Sequence, residues 1–266
     1  MPPLPGEGEE KVKMPPPASN RYPRPAVFAT CLVDALLPAV GRATLAVLRA
    51  RGLEPWLPPR QVCCGQALYK AGHLPAARRV ARAWVEAFRG AELIVSPSGS
   101  CVAHVRHALP ELLSPWPELA RRARLLAART WELSQFLHRL LGVEGLEGVP
   151  APAERFTYHP SCGLHRALGE DEAPYRLLDS LPGRRLELPR AEQCCGFGGP
   201  FAVTHPEVSA RLLGDKLAAA RSTGAEVLVV GDVGCFLHLS CGAARRGETM
   251  RIVHLAQALA RGEGRG

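Results

Sequence analysis

The chain has 266 residues, 47% of them hydrophobic, and a formal net charge of +8. That length suits one large domain or two small ones with a sizeable core, and no apolar run approaches the ~20 residues needed to span a bilayer. The positive charge could suit an acidic partner, but it is dispersed along amphipathic stretches such as "ARRVARAWVEAFRG" and "ELARRARLLAART" with no nucleic-acid module beside it, so it reads as a solvated surface and nucleic acid is set aside.

In chain order, residues 1–22 are proline-rich and lack the apolar segment of a secretory signal. They read as a disordered tail, and with no export signal the chain is expected to be cytoplasmic. "PAVFAT" (25–30) is apolar and β-like, residues 33–52 have helical periodicity ending on Gly52, and "LEPWLP" (53–58) predicts a second short strand. An amphipathic helix over 76–90 precedes a buried strand over 91–97. The second half repeats the alternation: strands over 155–160, 184–189 and 226–232, a helix over 206–224, then a last strand (249–254) and helix. Strands alternating with helices predict an α/β fold whose small parallel sheets are flanked by helices.

The cysteines show that the chain is a repeat. Cys31, Cys63 and Cys64 recur in register as Cys162, Cys194 and Cys195, and Cys101 recurs as Cys235. Their surroundings recur as well: "GAELIVSPSGSC" (90–101) matches "GAEVLVVGDVGC" (224–235), and His104 and His238 each follow the last cysteine by three positions. This coincidence of frame and flanks implies duplication. It divides the chain into the tail (1–22), a first repeat (23–148) and a second repeat (149–266), expected to be related by a pseudo-two-fold axis. Of the nine cysteines, Cys241 alone falls outside the frame.

Each framed cysteine lies after a predicted strand and before a predicted helix. In a parallel α/β sheet those loops share the carboxyl edge, so residues far apart in sequence become neighbours. Helix N-termini there favour thiolates and an anionic centre. Gly65, Gly196, Gly198 and Gly199 would let the backbone approach a bulky cofactor. Reduced thiols in such numbers point to a metal rather than to disulfides. Thiolate-rich sites select zinc or iron–sulfur clusters. Adjacent cysteines serve one small ion poorly but can reach different irons of one cluster.

The duplicated frame C…CCG…C-x2-H, carried by "FATCLVDALLPAVGRATLAVLRARG", "PPRQVCCGQALYKAG", "VSPSGSCVAHVRH", "TYHPSCGLHRALG", "CCGFGGPFAV" and "CFLHLS", resembles the cysteine-rich CCG domain family over about residues 25–262. That family includes the heterodisulfide reductase B-type subunit, the iron–sulfur subunits of glycolate oxidase and anaerobic glycerol-3-phosphate dehydrogenase, and a short stand-alone lactate-utilisation branch, which this chain most resembles. The resemblance implies one or two iron–sulfur clusters of the [4Fe-4S] kind, with Cys31, Cys63, Cys64, Cys101, Cys162, Cys194, Cys195 and Cys235 as ligands and zinc as the alternative in one repeat. It further implies electron transfer in oxidation of L-lactate, or another 2-hydroxy acid, beside a ferredoxin-like iron–sulfur subunit and a third subunit. The ferredoxin motifs of the larger glycolate and glycerol-3-phosphate subunits do not occur here. Heterodisulfide-reductase-type domains end in C-x2-C; His104 and His238 stand at that fifth position and are further candidate ligands.

Two other classes stay open on the residues: a zinc-stabilised assembly scaffold, and a thiol–disulfide reductase. No flavin, nicotinamide or Walker motif is present, and no catalytic residue is assigned. His159 is expected to line the site and His165 to face outward. Arg166 is read as an anion partner or a surface ion pair, Asp34 and Asp232 as helix caps or acceptors for ligands, and Cys241 as a bystander. Tyr69, Phe197, Phe201 and Phe236 are the aromatic candidates for a docking face.

Overall fold

Short aliphatic runs with both faces buried become the strands of two parallel sheets. The computed structural model describes residues 22–146 and 154–262. β1 (Ala26–Val27) leads into α1 (Cys31–Ala35), α2 (Pro38–Ala50), α3 (Gln66–Lys70) and α4 (Leu74–Ala87). β2 (Ile94–Ser96), α5 (Gly99–His107), α6 (Leu109–Leu112), α7 (Pro117–Ala128) and β3 (Thr130–Glu132) follow, then α8 (Leu133–Gln135), which continues as a π-helical turn, Phe136–Leu140. The second half runs β4 (Arg155–His159), a π-helical turn Gly163–Ala167, α9 (Glu172–Asp179), β5 (Arg184–Leu186), α10 (Phe201–Thr204), α11 (Pro206–Ser222), β6 (Val227–Val230), α12 (Val233–Arg245), β7 (Arg251–His254) and α13 (Leu255–Gly262).

The sheets share one plan. The first has the order β1-β2-β3, with a parallel bridge from Ala26 to Trp56 on its outer edge; the second has the order β5-β4-β6-β7, all parallel. Both therefore run second–first–third–fourth, which puts the topological switch point between β1 and β2 and between β4 and β6. The expected strand over 53–58 is reduced to the Trp56 bridge, because Pro55, Pro58 and Pro59 offer no N–H to a ladder. The expected single helix over 33–52 is two, because Pro38 opens α2 and forces the preceding Leu37 out of the helical region. The last strand and helix, expected only in the second half, have counterparts in β3 and α8.

Alternation along the strands sorts side chains into three cores. Val27, Val95, Phe156, Tyr158, Val227, Val229 and Val253 face a central core shared by both halves. Ala26, Phe28 and Ile94 face a first outer core, and Leu228 and Val230 a second. In the central core α2 packs on α13, while α9 packs on α8 and its π-helical turn. This is the reciprocal pattern of a two-fold pairing. The expected boundary at 148/149 and the tail up to residue 21 lie outside the described residues. Tyr22, expected in the tail, is anchored instead: its hydroxyl donates to the Leu140 carbonyl at 2.6 Å.

Equivalent positions at the ends of the fourth strands carry opposite chemistry. Buried Glu132 accepts from the Ser134 and Gln135 amides, and burial pushes its carboxyl up to about 7; buried His254 accepts from the Ala256 amide, and burial holds its imidazole down to about 4. Between about pH 4.5 and 7 folded Glu132 keeps a proton that the unfolded chain has lost, so its contribution falls as pH rises. Between about pH 4 and 6.5 folded His254 stays neutral while the unfolded chain binds a proton, so its contribution rises with pH. The two slopes oppose each other at up to about 1.4 kcal/mol per pH unit each. Glu132→Gln is expected to leave stability rising more steeply between pH 4.5 and 6.5, and His254→Asn to make it fall. Urea midpoints across that range check this; parallel profiles for the two variants would show that neither group is held in the stated form.

Candidate metal centre

Each repeat brings four cysteines together at the carboxyl edge. Cys31 opens α1 directly after β1, and Cys162 caps the π-helical turn directly after β4. The residue before each, Thr30 or Ser161, holds a left-handed φ of 68° or 67°. Any residue with a Cβ is strained there, β-branched Thr30 most of all, and the same strain at matching places in both repeats marks a backbone shape imposed by the site. Cys101 is the third residue of α5, capped by Ser98; Cys235 is the third residue of α12, capped by Asp232.

The adjacent pairs arrive on loops before α3 and α10. Gly65 and Gly196, at φ 89° and 94°, turn the chain so that their amides donate to Cys63 Sγ at 3.4 Å and Cys194 Sγ at 3.3 Å. A Cβ on Gly196 would stand 2.5 Å from the Ser209 carbonyl oxygen, so the close approach this glycine permits is to α11. Gly198 and Gly199, also at positive φ, line the cleft described below.

Within each quartet the sulfurs form a chain of contacts. Hydrogen bonds from Cys31 and Cys64, helped by the Gly65 amide, hold Cys63 down to about 2; bonds from Cys162 and Cys195, with the Gly196 amide, do the same for Cys194. The donors move the other way. Cys31 and Cys162 rise through their bonds to Cys63 and Cys194 and through burial, and Cys64 and Cys195 rise as well. Cys195 donates to Cys235 Sγ at 2.9 Å. Each quartet is thus a contiguous set of sulfurs within hydrogen-bonding reach of one another.

The imidazoles differ. His104 is buried against the Cys64 backbone, its Nε2 has no partner, and burial lowers it to about 4. His238 is half-buried, and its Nε2 lies 3.3 Å from Ser209 Oγ. His159 is buried at the end of β4 with neither ring nitrogen hydrogen-bonded, and burial lowers it to about 3. Its ligand atom, Cys195 Sγ and Cys235 Sγ lie within 4.8 Å of one another, a trio able to hold a metal ion.

A cleft of about 380 Å³ separates the repeats. Cys162, Cys194, Cys195, Cys235 and Phe197 form one wall; Gln66, Lys70, His104 and His107 of the first repeat form the other. Asp232 ties the walls together, accepting from Ser98 Oγ at 3.2 Å, the Ser100 amide at 2.9 Å and the Gly234 amide at 2.9 Å. Replacing it by alanine removes a helix cap, leaves the part-buried Ser100 amide of the opposite repeat unpaired and leaves the Ser98 hydroxyl only Ser100 Oγ as an acceptor, an expected loss of about 1–3 kcal/mol. Chemical denaturation of Asp232→Ala checks this, and a change below about 0.5 kcal/mol would contradict the bridge.

The remaining sequence candidates fall in place around the site. His165 binds Asp171 at 2.7 Å and Arg166 is exposed, donating to the Glu192 carbonyl. Asp34 and Cys241 are exposed. Of the four aromatic docking candidates only Tyr69 is exposed; Phe197, Phe201 and Phe236 are half-buried, and Phe236 packs on both the central and second outer cores. Sequence reasoning missed buried Lys216, whose Nζ donates to the Arg190 and Ala191 carbonyls at 2.8 and 3.1 Å just before the Cys194–Cys195 pair. The signal that could have found it is a lone lysine on the apolar face of a helix in an arginine-rich chain.

Known proteins fit this geometry. The cysteine-rich CCG domain matches the chain twice, over residues 25–106 and 156–240. A lactate utilization protein A from Halalkalibacterium halodurans is 41% identical across 88% of this chain and 95% of its own length. One from Shouchella clausii is 39% identical across 88% and 97%. A crystal structure of a hypothetical protein from Helicobacter pylori superposes with a TM-score of 0.66 at 12% identity, covering 95% of this chain; this chain spans 50% of that one, and the likeness concerns the fold alone. With two copies of the domain and this degree of identity over nearly the whole length of its relatives, the chain belongs to the cysteine-rich CCG domain family and, within it, to the lactate utilization protein A group.

Proposed function

We propose that this chain is the iron–sulfur electron-transfer subunit of a multi-subunit enzyme that oxidises L-lactate to pyruvate. One observation carries the reading: two quartets of cysteine whose sulfurs lie in mutual contact, each at the switch point of its own parallel sheet. The donor set fits an iron–sulfur cluster, being all sulfur, with adjacent cysteines able to reach separate irons and an orphaned imidazole beside each quartet. Cys31, Cys63, Cys64 and Cys101 would hold one cluster of the [4Fe-4S] kind, and Cys162, Cys194, Cys195 and Cys235 another. Such a group supplies storage and passage of single electrons.

The chain's own residues do the rest. The Gly65 and Gly196 amides donate to ligand sulfur, and the outer cores keep water from Cys64, Cys101, Cys195 and Cys235. Oxidation of lactate releases two electrons and two protons, and the chain carries no flavin or nicotinamide motif to take them as a pair. Partner subunits, one of them ferredoxin-like, complete the enzyme in this reading. Among the described residues no helix is long and apolar enough to cross a membrane.

A second reading has one support: the His159–Cys195–Cys235 trio could hold a single zinc ion in the second repeat. Anaerobic purification followed by iron, zinc and sulfide analysis separates them. The expected result is a brown protein with iron and acid-labile sulfide in near-equal amounts; zinc without sulfide would overturn the iron–sulfur reading. The isolated chain is expected not to oxidise L-lactate, with activity appearing when the ferredoxin-like and third subunits are added. Full activity from the chain alone would refute the subunit role.

A further inference from the structure

The two quartets match in their sulfurs but not in what stands behind them. Phe28 and His159 occupy the same place, three residues before the first cysteine of each repeat and on the outer face of the first strand. The helices that cover those faces can be aligned from their contacts. His73 and His205 precede the first residues of α4 and α11, and Gly65 faces Ala77 and Val80 as Gly196 faces Ser209 and Leu212. The same offset puts Lys216 where Trp84 stands. In the first repeat Phe28 and Trp84 are wholly buried and meet edge to face at 5.7 Å, part of an apolar wall that includes Cys64 and Cys101. In the second repeat that aromatic pair is replaced by an imidazole and an ammonium, His159 at 1% and Lys216 at 0% exposure.

A buried ammonium is costly unless an anion balances it. The Nζ of Lys216 donates to two carbonyls, which satisfy hydrogen bonds but neutralise no charge, and no carboxylate pairs with it among the described residues. The side chains near enough to act on it electrostatically include Cys195, Cys235 and Cys162, three of the four cysteines that would hold an anionic centre. The chain's composition sharpens the point. Its lysines are Lys11, Lys13, Lys70 and Lys216; the other basic positions in the fold are arginine. Of the two in the fold, Lys70 lines the cleft and Lys216 is buried and tied to the turn just before Cys194 and Cys195. Arginine is a broad fork, whereas a compact point charge fits a closed space beside a metal centre.

Resting on the iron–sulfur reading above, we propose that the two centres are unequal: Lys216, with His159, raises the reduction potential of the second-repeat centre above that of the first, so that on partial reduction the electron resides beside the cleft. Reduction adds one electron to a centre and makes no bond. The added negative charge is stabilised by a fixed buried cation and is not stabilised by an aromatic wall, and net charge with hydrogen bonding and burial is what sets such potentials. Lys216 acts here as a positioning residue, since it also ties the Arg190–Ala191 turn that presents Cys194 and Cys195.

The test is a dithionite titration of the full chain with viologen mediators, followed by electron paramagnetic resonance. Two reduction steps are expected, and the step at higher potential should be the one absent from Cys195→Ser. In Lys216→Met with its iron intact, that step should move to lower potential by about tenfold in the reduction equilibrium, 59 mV for a one-electron couple. Lys216→Gln, whose amide can still donate to the Arg190 or Ala191 carbonyl but carries no charge, should show the same shift; a purely structural role would be rescued by it. If Lys216→Met does not load the second centre, His159→Phe, which installs the first repeat's own residue, is judged by the same shift. A titration of the iron-loaded variant that overlays the wild type, or a higher-potential step that survives in Cys195→Ser, overturns the assignment alone. A chain with no iron in either repeat overturns the iron–sulfur reading beneath it.

Discussion

Replacing Cys195 by serine is expected to remove about half of the iron from the protein and to leave the signal of the other centre intact. Cys195 is 2% exposed and sits between Cys194 and Cys235 at the top of the second outer core. A serine hydroxyl is not deprotonated there, and hard oxygen is a poor substitute for thiolate on iron. Cys63, Cys64 and Cys101 of the first quartet belong to the other outer core, so nothing in the second outer core supports them directly. Iron and sulfide per chain, with paramagnetic resonance of the reduced protein, measure the outcome. Loss of all iron would mean one shared centre. Undiminished iron would remove Cys195 from the ligand set.

Gly163→Ala is expected to be strongly damaging, because it acts on the seam between the repeats. A Cβ at Gly163 would lie 2.5 Å from the Ser100 amide nitrogen and 2.7 Å from its Cα, both backbone atoms of the opposite repeat. Gly99 is nearly as tight against Leu164, with its Cβ site 3.2 Å from the Leu164 nitrogen. Overpacking of this kind costs about 1–3 kcal/mol or more, and each kcal/mol lowers Tm by about 2–4 °C for a chain of this size. The clash also falls beside cysteines of both quartets, since Gly163 follows Cys162 and Ser100 precedes Cys101. Reduced iron retention in both repeats should therefore accompany the lower Tm. Gly90→Ala, whose Cβ would meet nothing within 4 Å, is the matched control. A Gly163→Ala protein with the Tm and iron content of that control would show that the seam is looser than described.

The duplicated cysteine frame was legible because cysteine is rare and its register is read directly from position. Parallel strands were legible where aliphatic runs are dense, as in "ELIV" and "EVLVV". Trp56 was over-read as a strand because apolar content registers in the sequence while missing proline N–H groups act only when a ladder must form. β3 is not legible in the sequence: "TWE" is three residues long and ends on an ionisable side chain, and it becomes a strand because β2 offers a free edge beside it. The half-buried state of Phe201 and Phe236, docking candidates by sequence, depends on which neighbours fold over them.

By itself the sequence determined the inventory of sulfur and its order along two copies of one plan, since duplication preserves spacing and spacing needs no third dimension. Only the tertiary structure decided how the copies meet. Asp232 reaching Ser98 and Ser100, Gly163 against Ser100, and a cleft walled by cysteines of one repeat and by Lys70 and His104 of the other all join residues with no local relation. The difference between the two sites is also of that kind. Trp84 and Lys216 are each one apolar-face position on a helix, and their equivalence emerges only when both helices are laid across their sheets. Buried charge takes its meaning from what surrounds it, and that is fixed by packing rather than by sequence order.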